Sequence, residues 1–174
     1  MRIFGVICEC NPLHTGHIWL LSQARARGAE AVVCAMSGNF VQRGEPSLLP
    51  WWTRAKALLE NGADLVVQIP TAHCLSSAQF YAQSGVSLLA ELGVDTLFFG
   101  SESGDRAGLE ATAALVESEA FGQLAKALQR GNLGYPAARA EACRRLGGDA
   151  AILSSPNDTL ALEYLLAIRR AGNG

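Results

Sequence analysis

An α/β fold, with a Rossmann-like parallel sheet carrying helices on both faces and a mostly helical second half, is predicted by three features of this chain. Four short apolar runs, Ile3–Cys8, Ala31–Ala35, Leu65–Ile69 and Thr96–Phe99, are unbroken rather than alternating. Strands buried on both faces read this way. Helical stretches separate the runs, and long polar loops follow the first two. In a parallel sheet, those loops stand where ligands bind.

The elements follow in order. After the first run, His17–Arg27 reads as a helix stopped by Gly28. Trp51–Asn61 follows the second run and Ala78–Leu92 the third, each ending at a glycine turn. The order β-α-β-α-β-α-β gives a parallel sheet with right-handed crossovers. Glu60-Asn61-Gly62-Ala63-Asp64 and Glu91-Leu92-Gly93-Val94-Asp95 repeat one local design of helix, glycine turn, aspartate and strand. Beyond a polar loop at Ser101–Arg106, helices are expected over Gly108–Val116, Phe121–Arg130, Ala137–Leu146 and Thr159–Arg170. The chain reads as one domain over 1–174, with an α/β core over 1–104 and a helical extension over 105–174.

Composition narrows the class. A hydrophobic fraction of 49% and a charged fraction of 17% describe a globular chain with a real core. The net charge of −2 gives no global signal for nucleic acid. A local patch remains open, since Arg139, Arg144, Arg145, Arg169 and Arg170 crowd the last quarter. Five cysteines without a Cys-x-x-Cys pair argue against a disulfide framework or a zinc site, so no metal ligand is assigned. Cys8 and Cys34 read as small buried strand residues. No apolar run approaches the length of a bilayer span, and the chain begins directly with strand residues. A soluble protein in a reducing, cytoplasmic setting is expected.

The residues with chemistry cluster in loops. Asn11-Pro12-Leu13-His14-Thr15-Gly16-His17 carries two histidines at the junction of first strand and first helix. Pro12 stiffens the turn, and Gly16 lets the backbone approach a phosphate. Free amides at the helix start and two imidazoles would then face developing negative charge, as adenylyl transfer requires. Glu9 lies beside this loop with no clear role. The second loop, Ser37–Pro46, mixes Phe40, Gln42 and Arg43 between glycines and reads as a binding loop. Arg43 offers a planar fork for carboxylate or phosphate. Trp51 and Trp52 read as packing at a helix start rather than as a stacking platform. Arg54 and Lys56 either reach the site or sit on a wet face, with Arg54 the better placed. Gly100 ends the fourth strand, where a flat base could lie against the backbone, or is an ordinary strand-ending glycine. Asn157 or Asp158 caps the last helix on the simplest reading. His73 is read as having no catalytic partner.

Taken together, these residues carry a resemblance. Glu9-x-Asn11-Pro12-x-His14-x-Gly16-His17 resembles the first signature of the nucleotidylyltransferase superfamily. Ser37-Gly38-Asn39-Phe40-Val41-Gln42-Arg43-Gly44-Glu45-Pro46, Trp52-Thr53-Arg54-Ala55, Leu92–Glu102 and Ser154–Asp158 resemble the tRNA(Met) cytidine acetate ligase family. The resemblance implies an ATP-dependent enzyme that activates acetate as acetyl-adenylate and passes the acetyl group to N4 of the wobble cytidine of elongator tRNA(Met). Its implied partners are ATP, with Mg2+ as a possible companion, acetate and that tRNA. By position, His14 and His17 would act on the ATP phosphates. Glu9, Asn11, Pro12, Gly16, Gly100, Ser101 and Asn157 would hold the nucleotide, and Gln42 and Arg43 the second substrate. Family members run longer, to a second signature with an Arg-Gly block and a Ser-x-Thr/Ala-x-x-Arg-type element. This chain stops at Gly174, before both. Two other readings follow: an ATP-binding module inactive by itself, and an adenylyltransferase with another small acceptor.

Overall fold

The computed structural model describes residues 1–42 and 44–172. Its backbone divides into two compact units, Met1–Phe99 and 100–174.

The first unit is α/β. Its elements are β1 (Ile3–Cys8), α1 (Thr15–Ala26), β2 (Ala31–Ser37), α2 (Trp51–Glu60), β3 (Leu65–Ile69), α3 (Thr71–Cys74), α4 (Ala78–Glu91) and β4 (Thr96–Leu97). All strands pair in parallel, in the order β3-β2-β1-β4. The first two crossovers step one way along the sheet. The third returns past β1, so with right-handed connections its helices lie on the opposite face.

Side chains record both faces. Phe4, Val6 and Cys8 of β1 join Val32, Cys34 and Met36 of β2 in a core with Leu21 and Ala24 of α1 and Ala55 and Leu58 of α2. The alternate residues meet α4. A Cβ on Gly85 would stand 2.7 Å from Ile7, and one on Gly5 would stand 2.8 Å from Leu89. These glycines let helix and strand approach closely. Leu21 and Leu58 are fully buried, and each such burial contributes about 2 kcal/mol.

The repeated glycine-aspartate design has a cause. Gly62 and Gly93 take positive φ, +113° and +76°, to reverse the chain after α2 and α4. The aspartate that follows then accepts the first free amide of a neighbouring strand. Asp64 Oδ2 receives Val32 N at 2.6 Å, and Asp95 Oδ2 receives Ile3 N at 2.9 Å. That bond from Ile3 holds the Asp95 carboxyl below the ordinary aspartate range.

Three expectations are corrected. β3 is an edge strand with Leu65 and Gln68 exposed, not a strand buried on both faces. β2 runs on to Ser37, while β4 pairs only through Thr96 and Leu97. A short helix, α3, occupies what read as loop.

The second unit is helical: α5 (Arg106–Val116), α6 (Glu119–Arg130), α7 (Tyr135–Arg145) and α8 (Pro156–Gly172). Leu109, Phe121, Ala142, Cys143, Ile152, Leu162 and Leu166 are buried within it. Arg139 and Glu163 form a buried ion pair at 2.6 Å, with the guanidinium also over the Tyr135 ring. Arg144 and Arg145 both engage Glu141, and Arg169 engages Glu117. Four of the five arginines of the suspected basic patch are thus matched by carboxylates.

The start of α8 is closed by a carboxylate from an adjacent loop. Glu102 accepts Asn157 N at 2.9 Å and Asp158 N at 2.7 Å. Glu102→Ala should therefore cost about 1 kcal/mol, read as a lower thermal midpoint of the helical unit. An unchanged midpoint would contradict this capping role.

Candidate functional site

The loop between β1 and α1 leaves the carboxyl end of β1, next to the point where the strand order reverses. In open parallel sheets this is the usual ligand crevice. The loop begins with Cys10 in the left-handed region, φ 49°, and continues through a cis Asn11–Pro12 bond.

His14 is the N-cap of α1 and His17 its third helical residue. His14 Nδ1 accepts Gly16 N at 3.1 Å, and His17 Nδ1 accepts His14 N at 3.3 Å. This is the reciprocal capping box, built from two imidazoles instead of a hydroxyl and a carboxylate. The rings lie against each other, centroids 3.9 Å apart and 36° between planes. The arrangement fixes their tautomers. A nitrogen that accepts an amide proton carries none, so each neutral ring bears its proton on Nε2. Two N–H donors are thereby free of the helix.

The helix amides do less than expected. Gly16 N is taken by His14 Nδ1, and His17 N is bonded to His14 O at 3.0 Å. Both amides are therefore engaged within the cap. Gly16 also keeps space open for the first ring, because a Cβ there would lie 2.9 Å from His14 Cε1. If the loop seats ATP, as the resemblance implies, Gly16→Ala should displace the His14 ring and weaken ATP binding at least tenfold in a calorimetric titration, with the circular dichroism spectrum unchanged. Wild-type affinity in that variant would refute the steric reading.

Glu9, Cys10, Asn11, Pro12, His14, His17, Val41 and Glu45 surround an open cavity of about 340 Å3. The cavity lies between the first loop and the second, and two polar side chains of the first loop reach across. Glu9 Oε1 accepts Gln42 N at 2.6 Å, and Asn11 Oδ1 accepts Leu48 N at 2.7 Å. Asn39 Oδ1 accepts Trp51 N at 3.1 Å and so orients the start of α2. The second loop is itself a small hairpin, with Phe40 bridged to Pro46 and Ser47 N bonded to Asn39 O. Gln42 lies in its turn; Arg43 lies outside the described residues.

Arg54 holds the underside of both loops. It is 1% exposed and donates to Glu9 O at 2.6 Å, to Leu49 O at 3.1 Å and to Gly38 O. Its guanidinium therefore reaches the site as scaffold, with its donors spent on backbone. Burial lowers its pKa from the usual arginine range. Lys56 pairs loosely with Glu60 on the solvent face. The tryptophans divide: Trp51 packs on the core, while Trp52 is 78% exposed and meets it edge-on. His73 lies away from the loops, along a groove with Pro70, Phe80 and Glu91.

In the helical unit, Ser101 Oγ donates to Asp158, whose carboxylate also accepts Ser103 N at 3.1 Å. Burial opposes charge on Asp158, but these hydrogen bonds from Ser101 and Ser103 prevail and hold its pKa below the ordinary value. The Ser101 hydroxyl is thus engaged, whereas Asn157 is exposed and a Cβ on Gly100 would meet open space. The helix-capping reading resolves into backbone amides of Asn157 and Asp158 held by Glu102. Sequence reasoning gives no partner to Glu102 or Asn39; both lie inside its motifs, but only the fold pairs them.

Among the described residues, no group of three or more His, Cys, Asp or Glu side chains could hold a metal ion. No helix among them is long and apolar enough to cross a membrane.

Comparison with known proteins identifies the family. The HIGH Nucleotidyl Transferase family matches residues 1–174. The chain is 45% identical over 179 residues to the tRNA(Met) cytidine acetate ligase of Syntrophotalea carbinolica, covering 99% of this chain and 43% of that protein. It is 40% identical to the Acetivibrio thermocellus protein of the same name, again over 43% of that protein. The crystal structure of Thermotoga maritima TmcAL bound with alpha-thio ATP superimposes with a TM-score of 0.90 at 30% identity, over 99% of this chain and 44% of that one. The chain thus spans less than half the length of the relatives it matches. With its paired imidazoles at the carboxyl end of β1, it belongs to the HIGH nucleotidyl transferase family.

Proposed function

We propose that the chain binds ATP at the His14–His17 loop and supports activation of acetate as acetyl-adenylate, for acetyl transfer to N4 of the wobble cytidine of elongator tRNA(Met). The observation that carries the reading is the imidazole capping box. It engages both Nδ1 atoms in the helix cap and leaves Nε2 outside the cap, on two residues that line an open cavity. The names of the relatives and the nucleotide in the Thermotoga structure support the choice of substrate.

In this reading an acetate oxygen attacks the α-phosphorus of ATP. A P–O bond forms, the bond to the bridging oxygen breaks, and pyrophosphate leaves with the electron pair. Negative charge grows on the phosphates as this happens. Donors already oriented by the helix stabilise it without reorganisation, which is the largest contribution available to such a site. Glu9, Asn11 and Pro12 keep the loop in place, and Gly16 leaves room for His14. Gln42 and Arg43 are assigned to the second substrate, and Gly100, Ser101 and Asn157 to the nucleotide, on the resemblance. Mg2+ would travel on the ATP phosphates, which needs few protein ligands.

Acetate-dependent exchange of pyrophosphate into ATP tests this function. Exchange that requires acetate is the expected result, and exchange indifferent to acetate would overturn it. ATP binding without exchange would favour a second reading, a nucleotide-binding module that is inactive alone.

A further inference from the structure

One edge of the parallel sheet is left unguarded. β3 is its outer strand and, among the described residues, pairs with β2 alone. Alternate residues of such a strand turn their N–H and C=O groups outward, where a further strand can take them. Edge strands are ordinarily protected by lysine, proline, a bulge or an inward-pointing charge. Leu65-Val66-Val67-Gln68-Ile69 holds no charge and no proline. Its register with β2 runs unbroken from Leu65 to Ile69, so no bulge bends it away. Asp64, just before it, is committed to Val32 N and to Arg25. Leu65 is 43% exposed.

An open groove of about 430 Å3 lies beside this edge. It begins at Pro70, the residue after β3, and follows one face of α4 through Phe80, Ser84, Leu88 and Glu91. Positions three and four apart share a stripe of a helix. From Phe80 to Glu91 the helix rises about 16 Å, which is also the span of five extended residues. The groove therefore runs the length of β3. Its two ends differ in chemistry, because α4 returns against the strand direction. His73, in the short helix after β3, marks the carboxyl end, and Glu91 marks the amino end. Neither side chain has a hydrogen bond or ion pair among the described residues.

We propose that β3 is the contact between two copies of this chain, paired antiparallel about a twofold axis at Val67. A short uncharged strand is complementary to itself, as a twofold interface requires. The pairing joins the two four-stranded sheets into one. An antiparallel strand at the edge of an otherwise parallel sheet is a common arrangement. An axis normal to the sheet keeps both α4 helices on one face, side by side and antiparallel. The His73 end of each groove then meets the Glu91 end of the other, so an imidazole faces a carboxylate twice. This charge pattern selects a second copy over an unrelated extended peptide, which would satisfy only the backbone. The His14–His17 loop leaves β1, two strands in from this edge, so the inference does not depend on the nucleotide reading.

Sedimentation equilibrium from micromolar to submillimolar concentration tests it. The expected result is a mass that rises with concentration toward twice that of the monomer. Val67→Lys sets two like charges opposite each other at the axis and should leave a monomer throughout. Should that variant fail to fold by circular dichroism, the exposed ends of the groove carry the test. Glu91→Lys and His73→Glu should each raise the dimer dissociation constant at least tenfold. A mixture of those two variants should associate like the wild type, because every facing pair is again of unlike charge. A chain that is monomeric at every concentration would overturn the proposal, as would a dimer that neither Val67→Lys nor the charge reversals weaken.

Discussion

Replacing His17 by alanine is expected to reduce acetate-dependent ATP–pyrophosphate exchange by at least a hundredfold while the sheet and helices persist. Loss of one preorganised donor to developing charge typically costs between about 100 and 1,000 in rate. The substitution also removes the acceptor for His14 N, at a cost to α1 of about 1 kcal/mol. A second variant separates these effects. Glutamate is the common residue at this position of a capping box, so His17→Glu keeps the cap while presenting a negative charge to phosphate. His17→Glu should melt within about 2 °C of the wild type and still lose exchange. Exchange retained in both variants would remove His17 from the chemistry.

Arg54→Met is expected to be the most damaging substitution for stability. Three backbone carbonyls, in the first loop, the second loop and the turn before α2, share its guanidinium. Truncation leaves them buried without donors, at a cost of about 3–5 kcal/mol. For a chain of this size that is roughly 6–20 °C in the thermal midpoint of the α/β unit. Arg54→Lys should recover little, since one ammonium cannot reproduce a fork that spans three directions. A midpoint within about 2 °C of the wild type for Arg54→Met would show that the loops do not depend on this residue.

The sheet is legible in the sequence because its strands carry local signals. Ile3–Cys8 is an uninterrupted apolar run and Leu65–Ile69 an apolar run broken by Gln68 alone, and both begin and end where the strands do. The edge position of β3 is not legible: strand order is set by crossovers, and an apolar run reads the same at an edge as in the centre. Helix starts escape the sequence pattern for another reason. Asp105 accepts Gly108 N and Ser118 accepts Phe121 N, so α5 and α6 begin at the caps, two residues before the apolar pattern.

At the site, the residue types are visible in the sequence and their division of labour is not. Pro12, Gly16 and the histidine pair mark the loop. That His14 and His17 cap their own helix, and so present Nε2, needs atomic positions. Arg54 illustrates the same limit. An arginine at a helix start after a long loop suggests a ligand, but its burial under Glu9, Gly38 and Leu49 depends on how both loops fold back.

The central claim is that the imidazoles of His14 and His17 form the seat of the ATP phosphates. Its most direct test is a calorimetric titration of ATP into the wild type and into the His14→Ala/His17→Ala double variant. The account predicts that the wild type binds ATP, that pyrophosphate competes with it, and that the folded double variant loses at least a hundredfold in affinity. ATP bound equally well by both proteins would contradict it.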